Sequence, residues 1–192
     1  MGSENAVRPG TRTRNSARTR QNLLDAAAEL FGERGYETTT IRDIGDRAGV
    51  DSALIARYFG NKAALYLETL PTDDTGPELA HIAEPARIGE TIGRVSRQGS
   101  GPVLQAVMRA HDDPSVQSAA ADRVDKRLTV GLEMRMREAG LDSPRLRAQM
   151  AVAALSGIAL GRAAGTLEEL ASADQETVVA LTARMLGSLL EP

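Results

Sequence analysis

At 192 residues, 42% of them hydrophobic, the chain is long enough for one large or two modest domains, and with aromatics at 3% its core is built from Leu, Ala, Val and Ile. The absence of cysteine excludes a disulfide framework, a thiolate metal site and a cysteine nucleophile. The net charge of −3 is uneven: residues 1–20 hold Arg8, Arg12, Arg14, Arg18 and Arg20 against Glu4 alone, so a basic tip sits on an acidic body and directs one end toward nucleic acid.

In chain order, residues 1–16 read as a basic, flexible arm, polar and without the apolar stretch of a secretory signal. Asn15 or Ser16 caps a first helix over 17–34, with Leu23, Leu24, Ala27, Leu30 and Phe31 inward and Arg18 or Arg20 near a phosphate. Gly35 and Tyr36, reaching back to Phe31, predict a Schellman ending. Thr40 with Asp43 three places on predicts the cap of a second short helix, on which Ile41, Ile44 and Ala48 form one stripe. Gly49 ends it, and Asp51 caps a third helix that buries Ile55 and Phe59. Asn61 then caps a helix with Lys62 in its first turn. Two short helices joined by a tight turn with glycine describe a helix-turn-helix.

In such a unit the N-terminal residues of the second helix face base edges. With Ile55 and Phe59 inward, Ser52, Ala53, Leu54, Ala56 and Arg57 face outward. Ser52 suits either kind of base pair, Ala53 and Leu54 suit thymine methyls, and Arg57 or Arg42 suits guanine or a phosphate. Thr40 and Lys62 stand at helix N-termini, where backbone N–H groups and a side-chain donor together fit a phosphate.

The segment from Arg18 to Leu70 resembles the DNA-binding head of TetR-family regulators. The residues that carry this are Phe31, Gly35 and Tyr36; Thr39, Thr40 and Ile44; Ala48, Gly49 and Val50; and Phe59, Asn61, Lys62 and Leu65. The resemblance implies that Lys62 holds a backbone phosphate. It departs at Ala56, where the family usually has a phosphate-holding Tyr, and Tyr58 is the residue placed to take over part of that role.

Residues 17–70 are thus expected to form the head, and residues 71–192 a second, all-helical domain. The breaker-rich stretch Pro71–Pro77 marks the junction. Helices are predicted over 85–97, 102–111, 115–139, 144–166 and 174–190, with no strand pattern, so the fold class is all-α. In the long helix Val116, Ala120, Val124, Leu128, Leu132 and Met136 recur every four residues. The longest apolar run, 151–161, is interrupted by Ser and Gly and falls short of the ~18–20 residues that span a bilayer, so no membrane partner is expected. Cytoplasmic localisation is expected with it.

The resemblance implies that the last two helices pair with their twins in a homodimer. Val152, Leu155, Ala159 and Ala163, with Val178, Leu181, Met185 and Leu189, are the expected interface. It also implies an effector pocket in the helical body, for which Met108, His111, Met134 and Arg135 are candidates by composition. No catalytic constellation is found. His81 and His111 lack metal spacing, no Gly-x-Ser-x-Gly occurs, and no cofactor or metal is expected. The expectation is a dimeric regulator of double-stranded DNA, a repressor released by a small molecule. A regulator without an effector, and a helical binding module or enzyme with a degenerate head, stand as alternatives.

Overall fold

The computed structural model describes residues 9–70 and 81–190, and every regular element among them is helical. The first helix, α1 (Pro9–Arg34), starts eight residues before the predicted Ala17. Pro9 takes the first helical position, where its missing N–H is not needed. Asn15 and Ser16 therefore lie within the helix, and the Asn15 carbonyl accepts from the Thr19 hydroxyl at 2.9 Å. The part of the predicted arm from residue 9 onward is helical, while residues 1–8 and the predicted junction Pro71–Pro77 lie outside the described residues.

The helix ends explain the path of the head. α1 stops at Gly35, at φ 86°, whose N–H bonds the Phe31 carbonyl at 3.0 Å, a single-bond left-handed ending where the Schellman motif was predicted. The Schellman pair occurs one helix later. There α2 (Ile41–Ala48) ends with the Val50 N–H on the Gly45 carbonyl (3.0 Å) and the Gly49 N–H on that of Asp46 (3.2 Å). At its start Thr40 and Asp43 form the full capping box. Asp51 accepts from the Ala53 N–H at 2.8 Å as α3 (Ala53–Phe59) begins, and Asn61 caps α4 (Lys62–Thr69) through the Ala64 N–H at 2.8 Å. Leu23, Ala27, Leu30 and Phe31 pack with Ile44, Ile55, Phe59, Leu65 and Tyr66 in one core. Ile41 is 45% exposed, so of the stripe predicted for α2 only Ile44 is fully buried.

The body holds α5 (Pro85–Gln98), α6 (Gly101–Met108), α7 (Pro114–Val124), α8 (Val130–Glu138), α9 (Pro144–Ala164), α10 (Glu168–Ser172) and α11 (Gln175–Leu190). The long helix predicted over 115–139 is interrupted by a π-helical turn, Asp125–Thr129. An α-helix turns every ~3.6 residues, so a strict i, i+4 stripe drifts by roughly 40° per step. The turn is closed by the Val130 N–H on the Asp125 carbonyl, and the stripe divides there: Val116 and Ala120 before it pack in the head core, Leu132 and Met136 after it in the body core. Val116, Ala120, Leu132 and Met136 end buried, with Val124 and Leu128 half-buried beside the turn.

The body core corrects half of the expected dimer interface. Val152, Leu155 and Val178 are each 5% exposed and Ala159 is fully buried within a single chain, where they pack in one core with Ile88 and Ile92 of α5 and Leu132 of α8. Helical periodicity marks a face as apolar without saying whose side chains cover it. Ala163, Leu181 and Met185 do face outward, and Leu189 is half-buried.

Head and body meet along a seam where α1 crosses α6. A Cβ on Gly32 would lie 2.7 Å from the Gly101 Cα, so only a glycine fits this crossing. The Ser100 hydroxyl and the Gln105 amide both donate to the Gly32 carbonyl, and the Arg109 guanidinium donates to that of Arg34 at 3.3 Å. On the other side Arg123 of α7 donates to the Leu67 and Leu70 carbonyls at the end of α4, while Val116 and Ala120 complete the head core.

His111 closes this seam. Its ring packs edge-on against Tyr36 and Tyr66, and Nε2 lies 3.1 Å from the Tyr66 hydroxyl. Burial pushes the Tyr66 phenol well above its ordinary value, with Tyr36 adding to the rise, so the pair is a phenol hydrogen-bonded to the imidazole Nε2. Burial also lowers the His111 pKa, against the opposing pull of Glu37, 4.0 Å away, and Asp112. A histidine held neutral in the fold contributes stability above its unfolded pKa of ~6.5, and this is lost as pH falls through the lower folded value. The expected result is a melting temperature that drops more between pH 7.5 and 5 in the parent than in His111→Gln. Equal drops in the two proteins would refute it.

Candidate nucleic-acid interface

The α2–α3 pair is held at a close crossing. A Cβ on Gly45 would lie 2.9 Å from the Ser52 Cβ and 3.0 Å from its backbone, so glycine in mid-helix lets the turn pack against α2. Arg47 ties α2 to α1 through Glu29 (2.9 Å) and Glu33 (3.4 Å). Thr39, fully buried, donates to the Gly35 carbonyl at 2.8 Å and fixes the entry to α2.

On this frame Ala53, Ala56, Arg57 and Arg42 are exposed, and Ser52 is half-exposed at the start of α3. Leu54 and Tyr58 are half-buried against the head core. The Tyr58 hydroxyl lies 3.1 Å from the Ser16 hydroxyl, 42 residues away, a partner that sequence spacing cannot reveal. Thr40 is exposed, but its hydroxyl is engaged with Asp43 both as acceptor and as donor, so capping is the role its geometry displays. Arg18 is exposed, whereas Arg20 pairs with Glu68 and lies over the Phe59 ring. Lys62 stands in the first turn of α4 with Nζ 4.1 Å from the centre of the Tyr36 ring, and burial lowers its pKa against the opposing effect of Glu37. Among the described residues no cluster of His, Cys, Asp or Glu is arranged to hold a metal ion, and no helix is long and apolar enough to cross a membrane.

The expected effector residues do not converge. Met108 and Met134 are half exposed, Arg135 lies on the surface, and His111 belongs to the seam, beside a space of only about 40 Å³. That is room for water, not for an organic effector. A much larger cavity, about 450 Å³, lies where the head meets the body. Ala28 of α1 and Thr69 of α4 line it together with residues of α5, α6, the π turn and α9. Its size falls in the ordinary range for small-molecule sites. No local sequence signal marks it, because its wall is drawn from segments far apart in the chain.

The outer faces of α9 and α11 are the second notable surface. Leu146 (57% exposed), Met150, Leu181 and Met185 lie on it, and Gly157 and Gly187 have no atom within 4 Å of where a Cβ would stand. Arg162 holds α10 beside this face by donating to the Leu170 and Ala173 carbonyls at 2.6 and 2.7 Å.

Two family models cover these parts. That of bacterial regulatory proteins of the tetR family matches residues 23–69, and that of the tetracyclin repressor-like C-terminal domain matches residues 85–190. The HTH-type transcriptional repressor Rv3405c of Mycobacterium tuberculosis (strain H37Rv) is 34% identical over 137 residues, which is 64% of this chain and 71% of that protein. The HTH-type transcriptional repressor KstR2 of Rhodococcus jostii (strain RHA1) is 42% identical over 62 residues, 32% of this chain and only 30% of its own length. The fold matches those of Salmonella enterica GusR (TM-score 0.57, 20% identity, 90% and 95% of the two chains) and Pseudomonas aeruginosa NalD (TM-score 0.56, 22% identity, 92% and 98%). With both halves of the architecture matched, the chain belongs to the TetR family of helix-turn-helix transcriptional regulators.

Proposed function

We propose that this regulator acts in the cytoplasm as a homodimeric repressor, reading a two-fold operator with its paired heads and leaving it when a small molecule enters the cavity at the seam. The observation that carries this reading is the position of the cavity, whose wall includes side chains of α1 and α4 from the head and of four body segments. A ligand there changes DNA binding only if it binds two head positions unequally, and a cavity bounded by both units gives it contacts that a head movement would alter. Dimerisation is supported by the exposed Leu146, Met150, Leu181 and Met185 and by outward glycines in α9 and α11. A helical glycine costs about 1 kcal/mol relative to alanine, and close approach of a second helix would give that cost a use. The name repressor is supported by the relatives Rv3405c and KstR2.

The test is binding to DNA flanking the chain's own gene, in a salt series against a random duplex. Specific binding with a steep negative log–log slope is expected. Lys62→Ala is expected to weaken binding about equally across operator sequences and to lower the slope by about one for each engaged head. Equal, weak binding to both duplexes, or a variant with an unchanged slope, would count against the DNA-binding role assigned here.

A further inference from the structure

We infer that the cavity at the seam selects an organic anion: a carboxylate or phosphate head on an apolar body. The inference rests on the effector reading above and adds the chemistry of the ligand. Among the described residues three arginines line the cavity, Arg87 and Arg94 from α5 and Arg127 from the π turn, with one carboxylate, Glu90. Glu90 accepts from Arg87 at 3.0 Å. Arg94 and Arg127 have no carboxylate partner among the described residues, although both are half-buried and the chain as a whole is acidic. Partly shielded from water, such a cation attracts an anion more strongly than a fully hydrated one does. A guanidinium suits carboxylate or phosphate, which it binds through paired, charge-assisted hydrogen bonds.

The rest of the wall fits the remainder of such a molecule. Ile82, Val103, Leu104, Leu128 and Leu155 give an apolar lining. Arg127 and Leu128 are neighbours in sequence and both reach this wall from the π turn, so the irregular turn supplies a charged and an apolar group to one cavity. The wall thus offers arginines from α5 and the turn for the anion and leucines from α6, the turn and α9 for the apolar body.

The experiment measures binding of decanoate, decyl phosphate, decanol and decyltrimethylammonium to the full chain by calorimetry, below their micellar concentrations and without DNA. At least one of the two anions is expected to bind tenfold or more tightly than decanol, and the cation not at all. Which anion binds better tells carboxylate from phosphate. Arg94→Gln with Arg127→Gln is expected to abolish the preference for the anion over decanol, while Arg94→Lys with Arg127→Lys retains most of it; circular dichroism establishes that each variant is folded. The inference fails if decanol or the cation binds as well as the tighter of the two anions, if none of the four binds, or if the folded Gln variant keeps the preference. The effector reading is tested separately by adding the bound anion to the protein–operator complex. An anion that binds without releasing DNA leaves the site assigned and removes the effector role. Release by a cationic or neutral compound alone does the reverse.

Discussion

Phe31→Ala is expected to destabilise the chain by about 3–5 kcal/mol, the range for removing a fully buried aromatic side chain. Phe31 is 0% exposed and stands beneath two tyrosines, with ring centres 5.9 Å from Tyr36 and 5.1 Å from Tyr66, the latter edge-on. Tyr66 in turn meets His111, so the cavity left by the deletion opens under the seam as well as under the helix-turn-helix. A drop in melting temperature on the order of 10 °C follows for a chain of this length. Ile41→Ala is the contrast: at 45% exposure its loss is expected to change stability by no more than about 0.5 kcal/mol. Thermal or urea unfolding of the two variants side by side decides the matter, and similar losses would mean that Phe31 is not the keystone of the head core.

Gly32→Val is expected to part the head from the body. The new Cβ would stand 2.7 Å from the Gly101 Cα and 3.0 Å from its nitrogen, a clash of backbone against side chain that no rotamer relieves. Gain of helix propensity favours the substitution by less than about 1 kcal/mol. Overpacking in a rigid contact costs about 1–3 kcal/mol, and withdrawal of α6 also breaks the donations of Ser100 and Gln105 to the Gly32 carbonyl. The cost wins. Calorimetric unfolding is expected to show a broadened transition, or two, with the head melting first. A single sharp transition at the parent temperature would show that α1 and α6 tolerate separation.

These two positions also show what the sequence made legible. The helix-turn-helix could be read because its signals are local: Thr40 finds Asp43 three residues on, Gly49 ends its own helix, and Asn61 caps the turn that follows it. The all-helical body could be read for the same reason. What stayed hidden depends on partners far along the chain. Gly32 looks like an idle helical glycine until Gly101 arrives 69 residues later, and Tyr58 looks free to reach a phosphate until Ser16 is placed beside it. Val152 and Leu155 advertise an apolar face equally well whether α5 and α8 or a second chain covers it. The π turn also went unread, because the four-residue recurrence pointed to one continuous core-facing helix over 115–139.

The last turn of α1 has one further property. Its carbonyls at Gly32 and Arg34 are among those that a helix cannot satisfy by itself; Gly32 takes its donors from Ser100 and Gln105 of the body, while Arg34 takes one from Thr38 (2.6 Å) and one from Arg109 (3.3 Å). The last turn of the first helix is therefore finished in part by another part of the molecule. Any motion that carries α6 away leaves the Gly32 carbonyl to water while Thr38 still holds that of Arg34, so under the proposed release the mount of the helix-turn-helix loosens locally at Gly32. Loss of order at Gly32 would then be as much a part of the off state as any change in the distance between two heads.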